Sequence, residues 1–202
     1  SLGGCIRAAQ TITVTVNPTP TATATPTSQS ICSNNITSIA LTSSTGGATF
    51  AWTVTQTNVT GAAAGSGATI AQTLTATTAS AGTAVYTITP TAGGCAGAAI
   101  TATVTVNPAP NMTSTSSATI CTGGTVSIPL TGNVASTFTW IAADNPNTTG
   151  ESLTTQSTAT LSNVLTNTTT SVQTVIYTVT PTSTAGGCVG PIQTVTVNVN
   201  PV

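Results

Sequence analysis

The chain has 202 residues with one basic side chain, two acidic ones, no histidine, a net charge of −1, and two each of Trp, Tyr and Phe. General acid–base catalysis draws on His, Asp, Glu, Lys, Tyr and Cys, hard cations need several carboxylates, and nucleic-acid binding needs Lys and Arg to displace counterions. The composition therefore argues against an enzyme and a nucleic-acid binder, and it assigns no catalytic, cofactor-binding or metal-binding residue. Asp144 and Glu151 lie together in a loop-like stretch and read as solvated acids, while Arg7 stands alone. Every apolar run is broken within a few positions by Thr, Ser, Gly or Asn, so no segment offers the roughly 20 apolar residues of a membrane-spanning helix. Disordered chains combine low hydrophobicity with high net charge, whereas this one is mildly hydrophobic and almost neutral. Near-zero charge favours association, which suits a protein outside the cytosol or one that packs against copies of itself.

In chain order, residues 1–18 contain Gly3-Gly4-Cys5 and the alternating run Thr11-Ile12-Thr13-Val14-Thr15-Val16-Asn17-Pro18. The run recurs, slightly altered, at Thr101–Pro108 and Thr194–Pro201, each time after a Gly-Gly-Cys ending in Cys95 or Cys188. The three cysteines give spacings of 95 − 5 = 90 and 188 − 95 = 93 residues. Ile31-Cys32 matches Ile120-Cys121, Phe50-Ala51-Trp52 matches Phe138-Thr139-Trp140, and Tyr86–Pro90 matches Tyr177–Pro181. Residues 1–18 thus read as the last strand of a preceding repeat, followed by complete repeats at 19–108 and 109–202. A period near 90 fits an independently folded β-sandwich of roughly 100 residues. Alternation of Thr with Val, Ile or Ala places apolar groups on one face and hydroxyls on the other. Strands are expected over 21–27, 36–43, 48–57, 68–77, 82–90 and 98–106, with matching offsets in the second repeat, and no segment shows a helical period.

Phe50 and Trp52 share one strand face, as do Phe138 and Trp140, and both pairs are read as core. A sugar-stacking platform is the competing reading of these aromatics. Tyr86 and Tyr177 are expected to pack across from the tryptophans with their hydroxyls on a loop carbonyl. Five cysteines without metal-pairing motifs point to disulfides and an oxidising compartment. Sequence alone does not fix their connectivity. The repeat makes pairing within each domain economical, Cys32 with Cys95 and Cys121 with Cys188, leaving Cys5 unpaired or joined to a partner upstream. Asn17-Pro18-Thr19-Pro20 and Asn107-Pro108-Ala109-Pro110 are short, stiff linkers that favour an extended path. With strands rising about 3.3 Å per residue along the long axis, the repeats are expected to stack end to end into a rod.

Taken together, the cysteine before a strand, Phe-x-Trp, Tyr-x-x-x-Pro, Gly-Gly-Cys and Val-Asn-Pro resemble the PKD-like, immunoglobulin-like repeats of large cell-surface adhesins in Bacteroidota. The resemblance implies an all-β tandem of sandwiches, export by type IX secretion, a place on the bacterial cell surface, and a stalk role in attachment or gliding motility. Trp52 is followed by Thr53-Val54-Thr55, without the acidic pair of ordinary PKD domains, so the resemblance carries no calcium site with it. The expected partners are neighbouring repeats, other copies of the chain and surface polysaccharide. A polysaccharide-binding module is the alternative function. An ice-binding surface built on the Thr-x-Thr arrays is disfavoured because sandwich sheets twist.

Overall fold

The computed structural model describes residues 9–202. The first repeat comprises β1 (Thr23–Thr25), β2 (Ser28–Cys32), β3 (Asn35–Ile36), β4 (Ile39–Thr42), β5 (Thr49–Thr57) and β6 (Val59–Thr60). It continues through β7 (Gly65–Ser66), β8 (Thr69–Ile70), β9 (Thr73–Ala76), β10 (Gly82–Ala92), β11 (Cys95–Ala96) and β12 (Ile100–Asn107). The second contains β13 (Ser117–Cys121), β14 (Gly124–Pro129), β15 (Ser136–Ala142), β16 (Thr148–Thr149), β17 (Thr160–Asn167), β18 (Gln173–Ser183) and β19 (Gln193–Asn200). No helix forms among the described residues.

Each repeat is a two-layer sandwich. In the first, one layer runs β2-β12-β10-β5-β7 and the other is built from the short sheets β1-β4-β8 and β3-β9-β6. In the second, β13-β19-β18-β15 faces β14-β17-β16. The longest strands alternate as the β-branched sequence dictates: in β10, Ala84, Tyr86 and Ile88 are fully buried, while their Thr and Val neighbours point away from the core. Ile39, Leu41, Ile70 and Leu74 meet Trp52, Tyr86, Ile88 and Val104 in one core, and Val126, Leu161 and Leu165 meet Trp140, Tyr177 and Val197 in another. The two clusters share no residue. Packing the apolar face of one layer against that of the other is what lets such a sheet persist in water.

Three of the expected strands are broken up, and the run 36–43 becomes β3, paired with β9, and β4, paired with β1 and β8. The run 21–27 is interrupted at Pro26, where the Thr25–Pro26 peptide is cis, because proline has no N–H to continue the ladder. β1 therefore pairs antiparallel with β4 in one layer, and the chain then crosses to pair β2 parallel with β12 in the other. The run 68–77 becomes β8 and β9, separated at Gln72, whose backbone N–H donates to Thr37 Oγ1 at 2.9 Å. The expected strand within 1–18 falls partly on residues outside the described set. Over 9–18 no strand forms, and Ile12, Val14 and Val16 are 85%, 78% and 87% exposed.

Candidate functional site at the junction between repeats

Sheet topology gives each repeat an entry end and an exit end. β2 runs parallel to β12 with Cys32 opposite Asn107, the last residue of β12, so Cys32 lies at the exit end of the first repeat. β10 runs antiparallel to β12, so the turn that follows β10 and carries Gly93-Gly94-Cys95 lies at the entry end. The second repeat repeats the layout, with Cys121 opposite Asn200 and Cys188 beyond the end of β18.

This layout overturns the expected pairing of Cys32 with Cys95 and of Cys121 with Cys188. From Ile100 to Asn107 the strand climbs roughly 23 Å at 3.3 Å per residue, whereas a disulfide needs Cα atoms within about 7 Å. The structure joins Cys32 to Cys188 instead, with Cα atoms 5.6 Å apart and 156 residues between them in sequence. The exit end of one repeat is thereby linked to the entry end of the next. Among the described residues Cys95 and Cys121 are free thiols, one half-buried and the other exposed. Cys5 lies outside the described residues.

The Gly-Gly before each cysteine is explained by the backbone. β10 and β11 pair with Ala92 opposite Cys95, leaving Gly93 and Gly94 as a two-residue turn at φ +54° and +81°. Hairpin turns with two positive φ values favour glycine. Gly186 and Gly187 take φ +80° and +64° ahead of Cys188. The linker closes onto this turn: a Cβ at Gly186 would lie 2.5 Å from Asn107 Cγ, and Cys188 Sγ sits 3.8 Å from the Asn107 carbonyl oxygen. Asn107 is nearly buried. Its side-chain amide donates to Ser30 Oγ at 2.9 Å, and its carbonyl accepts the Ser33 N–H at 2.8 Å. The residue that sequence reasoning treated as part of a stiff linker is therefore the hub of the junction.

A second glycine in the motif escaped the sequence reading. Gly190 and Gly97 each follow their cysteine by two positions, and a Cβ there would collide at 1.9 Å with the carbonyl oxygen of Pro110 or Pro20. The signal was present as Gly-Gly-Cys-x-Gly in both complete repeats, though Arg7 breaks it after Cys5. Beside the bridge, Ser33, Asn34, Pro108, Asn111 and Asn133 help to line an open cleft of about 430 Å³ without a charged side chain. Among the described residues no three His, Cys, Asp or Glu side chains gather as metal ligands.

Residues 29–110 and 118–202 each match a family model described as PKD-like domain. The chain belongs to the PKD-like domain family. No curated protein sequence matches it. Among solved structures, mouse cadherin-23 EC22-24 aligns at 12% identity and a TM-score of 0.44, covering 92% of this chain and 67% of that one. The titin I-band fragment I67–I69 aligns at 10% identity and a TM-score of 0.38, covering 92% and 66%. The human desmocollin-1 ectodomain aligns at 13% identity and a TM-score of 0.37, covering 91% and 42%.

Within each PKD-like repeat the aromatic residues lie inside. Phe50, Trp52, Phe138 and Trp140 are each no more than 7% exposed, and Tyr86 and Tyr177 are fully buried. Trp52 Nε1 donates to the Ala63 carbonyl at 3.2 Å and Trp140 Nε1 to Thr158 Oγ1 at 3.1 Å. Trp140 meets Tyr177 edge-on with ring centroids 5.8 Å apart. The tyrosine hydroxyls reach side-chain amides, not the expected loop carbonyls: Tyr86 donates to Gln72 Oε1 at 2.8 Å and Tyr177 to Asn163 Oδ1 at 3.0 Å. Burial pushes the Tyr86 hydroxyl up to about 12. Burial, with the nearby charge of Glu151 as a second cause, raises Tyr177 further above the ordinary tyrosine range.

Proposed function

We propose that this chain is a load-bearing stalk segment of a secreted bacterial cell-surface adhesin or filament, in which PKD-like repeats stand end to end as a rod. The observation that carries this reading is the Cys32–Cys188 bridge from the exit end of one repeat to the entry end of the next. A covalent tie across a proline-containing linker suppresses bending and resists separation under tension. It also belongs in an oxidising compartment, which supports an extracellular location. The sequence resemblance to gliding-motility adhesins adds the expectation of a Bacteroidota surface and type IX export. The polysaccharide-binding alternative has less support, since the tryptophans are turned into the cores and hydrogen-bonded there.

Small-angle X-ray scattering of the oxidised 202-residue chain tests the stalk. The expected profile is that of two sandwiches end to end, broadening toward a flexible pair on reduction. A compact, side-by-side pair in the oxidised state would overturn the reading, and saturable retention on an insoluble polysaccharide would favour the binding module.

A further inference from the structure

The two thiols left by the Cys32–Cys188 bridge occupy the two unmatched ends of the same device. At the exit end of the second repeat, Cys121 faces Asn200 in the β13–β19 ladder as Cys32 faces Asn107 in β2–β12. The Thr122 N–H donates to the Asn200 carbonyl at 2.9 Å, matching the 2.8 Å bond from Ser33 to Asn107. At the entry end of the first repeat, the Asn17 amide donates to the Gly93 carbonyl at 2.8 Å. Asn17 crowds Gly93 and Pro20 crowds Gly97, just as Asn107 crowds Gly186 and Pro110 crowds Gly190.

An independent observation points to what would stand before the first repeat. Thr11–Asn17 repeats Thr101–Asn107 with a single change, Ile12 where the other has Ala102. Ala102, Val104 and Val106 on the copy inside the repeat are fully buried, whereas Ile12, Val14 and Val16 are exposed. A strand with this pattern fits the place that β12 holds in its sandwich layer, beside an early strand like β2 that ends in a cysteine.

We propose that Cys95 and Cys121 are half-sites of further junction disulfides. Cys95 takes the early-strand cysteine of a preceding PKD-like repeat, and Cys121 takes the Gly-Gly-Cys cysteine of a following one. This rests on the stalk reading and extends it: bridges of the Cys32–Cys188 kind run from repeat to repeat along the array. Each bridge forms by thiol–disulfide exchange with an oxidised disulfide donor. One cysteine thiolate attacks the donor to give a mixed disulfide, and the second cysteine displaces it. One protein S–S bond is made, and the donor leaves reduced with the two electrons and two protons.

The test is a three-repeat chain in which a second copy of residues 109–202 follows Pro201, restoring the Asn-Pro-Ala-Pro order of the existing junction. In a marked version, Cys188→Ser in the middle repeat and Cys121→Ser in the added repeat leave Cys121 and the added Cys188 as the only half-sites of the new junction. After refolding with reduced and oxidised glutathione, peptide mapping should find these two joined in most molecules. The unsubstituted three-repeat chain gives a second measurement, and it should contain one more disulfide than the 202-residue chain. Cys121 alkylated as readily as in the 202-residue chain, or joined comparably to Cys32 or Cys95, overturns the proposal. If scattering still shows an extended array in that case, the stalk reading survives while the serial bridging fails.

Discussion

At the scale of single residues, the junction separates two costs that usually occur together. Gly186 and Gly187 both sit in the left-handed region, where a non-glycine residue costs about 1–2 kcal/mol. A Cβ at Gly187 meets nothing within 4 Å, whereas one at Gly186 runs into the Asn107 side chain. Gly187→Ala should therefore lower the stability of the second repeat by about 1–2 kcal/mol and leave Cys188 bridged. Gly186→Ala should cost more and also raise the fraction of Cys188 open to alkylation, because the linker must move off the turn. Denaturant titration with a thiol count on both variants checks this, and equal effects would place the whole penalty in the backbone. The buried tyrosines set a pH limit in the same way. Their folded-state pKa values lie above the ordinary value of 10, with Tyr86 raised to about 12. The neutral hydroxyl is thus the form the fold favours, and its contribution is complete below pH 10 and lost as pH rises from there through 12. With two carboxylates and no histidine in the sequence, the usual groups of acid denaturation are scarce. Stability should fall mainly on the alkaline side, and replacing Tyr86 with Phe should flatten that fall for the first repeat, as read by urea midpoints against pH.

At the scale of elements, the legible part of the fold was the part written in β-branched alternation. β5, β10 and β12 were readable because Thr alternates with apolar residues along them, and that alternation is what one buried and one solvated face demand. β2 was not legible, since Ser28-Gln29-Ser30-Ile31-Cys32 carries no such pattern and is held mainly by backbone pairing to β12. Missing β2 had a larger consequence than one lost strand. Its parallel register with β12 is what sends Cys32 to the exit end of the repeat, away from Cys95. Repeating cysteines at fixed offsets are compatible with pairing inside each repeat and with pairing between neighbours. Composition and spacing are the same for both, and only strand direction distinguishes them. The aromatic positions were readable for the opposite reason: spacing of two on a strand fixes their shared face without any knowledge of topology. The role of Asn107 is a close approach between segments distant in sequence, which no local pattern records, whereas the glycines two residues past each cysteine were written in the repeated Gly-Gly-Cys-x-Gly and only the prolines they approach were not.

At the scale of the whole molecule, the bridge couples two sandwiches that own separate cores. If the first repeat unfolds while the second stays folded, the released chain from Cys32 to Asn107 remains tied at both ends to the folded neighbour. Closing a loop on the order of 75 residues in this way raises the free energy of the unfolded state by about 4 kcal/mol in the chain-entropy model. The same argument applies to the second repeat, whose chain between the linker and Cys188 is of similar length. The stiffness that the bridge imposes on the folded pair offsets part of this gain, so about 4 kcal/mol is an upper bound for each repeat. Replacing Cys32 with Ser should therefore destabilise both repeats, although the substituted residue belongs to the first alone. Hydrogen exchange resolved by peptide checks this, since β10 amides report the first repeat and β18 amides the second. Both sets should exchange faster in the variant, and the unsubstituted protein should behave like the variant once reduced. A change confined to β10 would mean that the second repeat draws no stability from its neighbour, and the bridge would then serve to orient the pair rather than to hold each member folded.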